Sequence, residues 1–509
     1  MDPSTQDQVA FWRTLAERLR DGRSLTEAFG EAASQREDTV FAEVAAAAVQ
    51  RAQEGGGLAE TIAEFPDLFE ERVVKAIAEG ERSGLLDVAM IRVAKALEAG
   101  DLGVLAAPAA EEIDATQEPQ VKEYVNRTIL EAIRSDATDI HFDPTEDGRG
   151  RVRVRIDGVL HEAGRPPEGM FPKVVRCLKV MSCLDVAERK LPQDGRVGLK
   201  VEGQAVNLRL STLPTYCGER VMARVLARQN VPLELPRLGL DEEDLANVRR
   251  LCHLPCGIVV VNGPTGCGKT TLLYSMLREI DRHRCCVMTV EDPVEFAIEG
   301  VAQLQIRPPV GWTFARAMRA MLRQDPDVIL VGELRDLEMM NLAVQIAMTG
   351  HLLLTTLHAR TSVGAIRRLL DCGLEPFMIN STLQAVVSLR LVRLLCDRCK
   401  QPAEPDEAAM SPEAVQIVSA LKDAEFHRPV GCEHCRQTGY RGRTGIYEVL
   451  IIDEAVRGTV SKPPDTAAML DAGRRSGMKT MLADGLEKAA RGVTSIEEVC
   501  RIAPRAGHV

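Results

Sequence analysis

Gly263-Pro264-Thr265-Gly266-Cys267-Gly268-Lys269-Thr270 fits the pattern G-x-x-x-x-G-K-[ST], and Thr271 follows it. An apolar run, Ile258-Val-Val-Val261, leads in, and the helical stretch Leu272-Leu-Tyr-Ser-Met-Leu277 leads out. Glycines at 263, 266 and 268 let the backbone turn its N–H groups inward around phosphate oxygens, while the new helix aims its partial positive end at the same place. Lys269 adds a full charge for the β and γ phosphates of a nucleoside triphosphate, and Thr270 offers a hydroxyl to Mg²⁺. Residues 263 to 271 are the expected phosphate cradle.

Hydrolysis at such a cradle needs groups that hold Mg²⁺ and orient a water in line with the γ phosphate. Two apolar segments end in carboxylates: Val287-Met-Thr-Val290 runs into Glu291-Asp292-Pro-Val-Glu295, and Val328-Ile-Leu-Val331 into Gly332-Glu333. Ligands of open parallel sheets sit at the carboxyl ends of strands, so both clusters are expected to face the phosphate loop. A third segment, Leu352-Leu-Leu-Thr-Thr-Leu357, is bracketed by His351 and His358. His358 is placed to reach the γ phosphate as a sensor or proton-sharing group, whereas His351 precedes the strand.

A second chemistry lies downstream. Cys396-x-x-Cys399 and Cys432-x-x-Cys435 are two knuckle pairs, and four thiolates suit tetrahedral Zn²⁺ in a closed structural site. An iron–sulfur cluster or four unrelated thiols are the alternatives. The ten remaining cysteines of the 14 are expected to be reduced, because a chain of this size in a reducing compartment is not a disulfide framework.

Positioning these groups needs several domains. At 509 residues the chain exceeds one hydrophobic core, and about three or four domains are expected. With 45% apolar and 27% charged residues it reads as a packed, water-soluble protein. No apolar run reaches the roughly 18 residues of a membrane span and the first residues do not form a signal peptide, so a cytoplasmic location is expected. The net charge of −11 and the 4% aromatic content disfavour a channel that tracks nucleic acid.

Residues 1–100 have helical periodicity, and a glycine joint recurs at Gly22 and Gly55, an offset that would also suit a helical solenoid. Residues 101–118, rich in Ala, Pro and acidic residues, read as a linker. Residues 119–235 pair a helix with arginine-bearing strands such as Arg151-Val-Arg-Val-Arg-Ile156, and residues 236–395 alternate strand and helix as a parallel sheet requires. Residues 396–450 hold the four cysteines, and 451–509 form a helical tail.

From 119 to 509 the chain resembles the secretion ATPase superfamily of type II secretion and type IV pilus assembly motors. The motifs that carry the resemblance are GPTGCGKTT, TVEDPVE, RQDPDVILVGELRD and TGHLLLTTLHA, with SDATDIHF, LPQDGRV and LRLSTLPTYCGERV upstream. It implies a PAS-like α/β domain before a RecA-like P-loop α/β core with zinc-binding and helical C-terminal subdomains. It also implies that Glu333 polarises water and Mg²⁺, that Glu295 or Glu291 assists, and that His358 senses the γ phosphate of ATP. Arg155, Arg209 and Arg220 match positions from which the family's arginines approach the nucleotide, some from a neighbouring subunit; solvated strand-face arginines are the plain alternative. Arg316, Arg319 and Arg323 share one helix face and suit a subunit seam or a solvated stripe.

The tetracysteine followed by GYRGRTGIYEVL is similar to assembly ATPases, retraction ATPases commonly lacking it. Departures are Cys267 where serine is common, Leu389 where glutamine is usual, and Ala359-Arg360-Thr361 after the histidine. Residues 11–98, with Phe65-Pro66 and Gly80-Glu81-Arg82-Ser83-Gly84, resemble a cytoplasmic domain of the inner-membrane platform protein of these systems. Together these imply a homohexameric MgATP-driven motor at the cytoplasmic face of the inner membrane, associated with the membrane through partners and working on the platform protein. A non-hydrolysing regulatory subunit and a DNA-uptake or DNA-translocating ATPase are the competing expectations.

Overall fold

The computed structural model of the chain describes residues 5–20, 27–29, 39–53, 57–83, 86–100, 102, 119–201, 204–225, 233–421 and 424–504. The joints at Gly22 and Gly55, Gly84, and the expected linker apart from Leu102 lie outside the described residues. The chain forms two compact units, Met1–Arg228 with Arg307–Trp312, and Gln229–Ile306 with Thr313–Val509.

The first unit opens with helices Thr5–Arg20, Thr39–Gln53, Leu58–Ile62, Glu71–Ser83 and Leu86–Ala99. Their apolar stripes bury Phe11, Trp12, Leu15, Phe41, Ile77 and Val93 in one core. Phe11 lies 4.5 Å from Phe41 and Trp12 meets Phe69 edge-on at 5.4 Å between ring centroids. Glu81, within the Gly80–Gly84 motif, accepts the N–H groups of Leu58 and Ala59, the latter at 3.1 Å. The carboxylate thereby satisfies two orphan donors at a positive helix end. Gly57 leaves room for it, since a Cβ there would stand 2.9 Å from Glu81 Oε2.

The same unit contains a six-stranded sheet, β1 (Asp139–Asp143), β2 (Arg151–Ile156), β3 (Val159–Gly164), β4 (Gln193–Val201), β5 (Gln204–Thr215) and β6 (Gly218–Val225), in the order β3-β2-β1-β6-β5-β4. Helices Pro119–Arg134 and Phe171–Met181 cover one face, where Ile140, Phe142, Val152, Leu208, Leu210 and Val221 are buried. Period-two alternation sends the arginines to the other face. Asp139 stands opposite Arg155 and Arg224, and Arg224 opposite Arg209, so these residues form one row across four strands.

The second unit is built on a sheet of β7 (Gly257–Asn262), β8 (Val287–Glu291), β9 (Ala302–Gln305), β10 (Val328–Val331), β11 (Leu352–Leu357), β12 (Leu383–Leu395) and β15 (Tyr440–Ile451), ordered β15-β12-β7-β11-β10-β8-β9. All pairings are parallel except β12 with β15. β7, β8, β10 and β11 are buried at every residue, which is why they read as unbroken apolar runs. β15, assigned from sequence to the cysteine segment, belongs to this core sheet. The cysteine segment is therefore an excursion between two paired strands, carrying its own small ladder of β13 (Gln401–Pro402) and β14 (His427–Arg428). Helices Met481–Ala490 and Ile496–Ile502 pack Met481, Leu486 and Val499 against Val392 and Ile446.

A buried charge cluster ties helix Glu242–Cys252 to the C-terminal helices. Lys479 donates to Asp241 at 2.9 Å and to Glu487 at 3.1 Å, and the buried Lys488 pairs with the buried Asp484. Burial, then the carboxylates of Asp241 and Asp484, push Asp244 up to about 7. Its native form holds a proton that the unfolded chain releases near its ordinary value of 3.8, so stability falls as pH rises between those values. Urea midpoints measured at about pH 5 and about pH 8 should therefore differ less in Asp244→Asn than in the unsubstituted chain. An equal decline in both would show that Asp244 titrates normally.

Candidate functional site

The phosphate loop leaves β7 at Asn262. Gly266 and Gly268 have φ of 75° and 99°, left-handed values that glycine adopts without steric cost. Gly263 has no room for a side chain, since a Cβ would lie 2.8 Å from the Leu389 carbonyl oxygen. Helix Lys269–Glu279 starts with no side-chain cap and no acidic residue in its first turn, leaving its N–H groups to the loop. Pro264, Thr265, Gly266 and Thr270 are exposed, Lys269 and Thr271 half-buried. Cys267 is 5% exposed and belongs to the apolar core, and burial pushes its thiol up. It is a neutral thiol turned inward. Leu389 likewise packs under the loop beside Gly268.

Lys269 bends back over the loop, its Nζ donating to the carbonyls of Gly263 at 2.8 Å and Pro264 at 2.9 Å. Burial lowers its pKa, while the nearby Cys267 and Glu333 raise it. His358 Nδ1 lies 3.1 Å from the same Gly263 oxygen, and its Nε2 lies 3.5 Å from Glu333 Oε1. A carbonyl only accepts, so Nδ1 carries a proton and donates. The contact on the other side is attractive only if a proton also sits on Nε2 or on the carboxylate. Arg335 completes the group, 3.3 Å from Glu333 and 3.6 Å from Asp292, with its guanidinium 5.5 Å above the Phe314 ring.

Parallel register puts these groups together. Val290, Val331 and Thr355 are aligned across β8, β10 and β11, and Leu357 stands opposite Asn262, so Glu333, His358 and Gly263 leave the sheet at one edge.

The two remaining carboxylate candidates differ. Glu291 is the last residue of β8 and is 4% exposed; Tyr274 donates its hydroxyl to one oxygen, and Thr289 and Gln303 occupy the other. Burial and Glu291 hold the Tyr274 phenol far above its usual range, so it stays a donor. Glu291 thus braces the helix that follows the phosphate loop. Glu295 is exposed on the next loop, with its backbone against the Tyr274 hydroxyl.

Arg155, Arg209 and Arg220 lie in the other unit. Arg155 is 3.6 Å from Asp139 and donates to the Gly158 carbonyl; Arg220 donates to Asp143 and meets His141 Nδ1, both at 2.8 Å; Arg209 is exposed, 3.8 Å from Asp194. Arg319 pairs with Glu338 at the surface, and Arg323 donates to the Arg319 carbonyl. His351 bonds to Ile346 and Thr349, closing the helix before β11, and is not part of the phosphate site.

Cys396, Cys399, Cys432 and Cys435 bring their sulfurs within 4.8 Å of one another, the one such metal-competent cluster among the described residues. Three separations are 3.9, 3.8 and 3.7 Å. Tetrahedral zinc with bonds of about 2.3 Å requires edges of about 3.8 Å, so the arrangement fits. Gly431 donates its N–H to Cys399, and Cys432 and Gly439 donate theirs to Cys435. Burial would raise Cys435, but the Cys432 and Gly439 amides and the neighbouring thiols bring it down to about 6, while burial and its own neighbouring thiols push Cys399 up to about 11, so the four share protons that metal ligation would displace.

Sequence reasoning overlooked Arg335, which lies inside a quoted motif, and Tyr274 and Asn262, which carry no pattern of their own.

Residues 114–501 match the family described as Type II/IV secretion system protein, and residues 11–101 match type II secretion system protein F. The chain is 45% identical over 393 residues to the type II secretion system protein E of Aeromonas hydrophila, covering 77% of each. It is 43% identical over 392 residues to the type II secretion system ATPase E of Vibrio cholerae, covering 77% of this chain and 76% of the relative. The X-ray structure of the Legionella pneumophila ATPase DotB shares the fold, with a TM-score of 0.55 at 21% identity over 75% of this chain and 96% of that one. The phosphate loop, the edge of the parallel sheet and these matches lead to one conclusion: this chain belongs to the type II/IV secretion system protein family and is a secretion-system ATPase.

Proposed function

We propose that the chain is a homohexameric motor that hydrolyses MgATP to drive type II secretion or type IV pilus (pseudopilus) assembly from the cytoplasmic face of the inner membrane. The observation that carries this is the convergence of Lys269 and His358 on the Gly263 carbonyl, with Glu333 3.5 Å from His358. Lys269 exchanges its two loop carbonyls for phosphate oxygens of the nucleotide, held also by the backbone N–H groups of residues 263–271 other than Pro264. Thr270 and Glu333 are the residues that would hold Mg²⁺, which neutralises phosphate charge when bound. Glu333 accepts the proton of the attacking water, and His358 and Arg335 fix its carboxylate. His358 reports the terminal phosphate. Of the two assisting candidates Glu295 fits better, because Glu291 already bonds to Tyr274, Thr289 and Gln303. Arg155, Arg209 and Arg220 approach the phosphates, some of them from a neighbouring subunit, their planar forks suited to charge that develops during transfer.

Zn²⁺ bound by the four cysteines would hold the excursion between β12 and β15 in shape, and the segments 1–100, 119–235 and 236–395 act as separate working parts, with β15 and the C-terminal helices joined to the last of them. The 1–100 segment docks on the inner-membrane platform protein or takes its place against the ring, and membrane association runs through that partner. Among the described residues no helix is long and apolar enough to cross a membrane.

Glu333→Gln should abolish steady-state phosphate release, by roughly a hundredfold or more, with MgATP binding kept. Turnover that survived this substitution would remove Glu333 from the chemistry. A strong chelator, or Cys435→Ser, should release about one zinc per chain and lower the melting temperature, with the loss reversed by added zinc for the chelated chain only. Metal-free chain of full stability would contradict the zinc assignment. Full-length chain should be retained by membranes holding the platform protein, and a chain lacking residues 1–100 should not; equal retention of both would rule out docking through that segment.

A further inference from the structure

We propose that Asn262 is a positioning residue that sets His358 against the phosphate loop, and so governs how well the site distinguishes a nucleoside triphosphate from a diphosphate. The inference rests on the role given to His358 above. β7 and β11 pair in register up to Asn262 and Leu357, so regular pairing stops one residue short of both Gly263 and His358. The last main-chain link, from the Gly263 N–H to the Leu357 carbonyl, is already stretched to 3.4 Å. Beyond it, side chains hold the turn.

Asn262 is fully buried. Its Oδ1 accepts the Ala359 N–H at 2.6 Å, and its Nδ2 donates to the Thr361 carbonyl at 3.0 Å and to Ser388 Oγ at 2.9 Å. Arg390 donates to the Arg360 carbonyl at 2.9 Å, and the buried Glu448 accepts the Ser362 N–H at 2.7 Å. Polar backbone groups of four consecutive residues after His358 are thus each taken by a side chain from β7, β12 or β15. Of these side chains only Asn262 stands on the strand that enters the phosphate loop, next to the carbonyl that holds both Lys269 and His358.

A carboxamide is suited to this place because it donates and accepts in one plane. A carboxylate would set a second acceptor against the Thr361 carbonyl, and an apolar side chain would leave the Ala359 N–H without its partner and the Thr361 carbonyl with only the Ala365 N–H. Ser388 and Ser362, bonded to each other at 2.9 Å, continue the network to Glu448. The turn therefore has little freedom to drift from Gly263.

The test measures equilibrium affinities of the full chain for ADP and for a non-hydrolysable ATP analogue. It compares the unsubstituted protein, Asn262→Ala, His358→Ala and the double variant. Each single variant should lower the ratio of analogue to ADP affinity by roughly three- to tenfold, with ADP affinity held within about twofold. The double variant should fall no further than His358→Ala alone, because one substitution acts through the other. An unchanged ratio in Asn262→Ala, or losses that multiply in the double variant, would overturn the inference while leaving His358 in place. An unchanged ratio in His358→Ala would instead overturn the role of His358 on which it rests. Should Asn262→Ala fold poorly, Asn262→Ser keeps one hydrogen-bonding group: a partial drop in the ratio supports the proposal, and equal loss of both ligands contradicts it.

Discussion

One carbonyl oxygen, that of Gly263, accepts from both the Lys269 ammonium and the His358 ring. An oxygen with two lone pairs can do this, and the consequence is geometric: the cation of the phosphate loop and the acidic group reached through His358 share one reference point. The glycine is what allows it, because a side chain there would collide with the Leu389 carbonyl. Parallel pairing then sets the distances, since residues that leave aligned strands at one edge are neighbours however far apart they lie in sequence. Glu333 and Lys269 are brought together this way, and the carboxylate opposes the lowering that burial imposes on the Lys269 ammonium.

The core sheet also carries the parts that have no catalytic chemistry. β12 and β15 form a long antiparallel pair, and the four cysteines sit in the excursion between them. A segment held at both ends by paired strands needs less of its own core to keep its shape, and four thiols at tetrahedral spacing supply the rest. The same two strands receive the C-terminal helices through Val392 and Ile446. Glu448, on β15, reaches back to the Ser362 amide beside the phosphate site. The strands that flank the cysteine segment thus also carry the buried network behind His358.

How far these features were legible in the sequence depended on whether the deciding contacts are local. β7, β10 and β11 read directly, because strands buried on both faces leave unbroken apolar runs. The phosphate loop read directly because its glycines, lysine and threonine are all within one turn of backbone. Glu291 and Glu333 looked equivalent as strand-end carboxylates, yet one or two positions separate their fates. Glu291 is still inside the ladder, opposite Gln305, and shares a face with Thr289, whereas Glu333 lies two residues past the end of β10. That difference is a matter of register, which spacing alone does not reveal. β15 was assigned to the cysteine segment because its partner β12 lies across that whole segment. Asn262 has no motif; its role is visible only when Ala359, Thr361 and Ser388 are folded against it.

Hydrolysis at this site requires Lys269 and Glu333 to address the same nucleotide. The most direct measurement is an experimental structure of the full chain bound to a non-hydrolysable ATP analogue with Mg²⁺. The account predicts that Lys269 Nζ has left the Gly263 and Pro264 carbonyls for phosphate oxygens, with Glu333 beside the terminal phosphate. A nucleotide bound while Lys269 still holds those carbonyls, or with Glu333 turned away from it, would contradict the account.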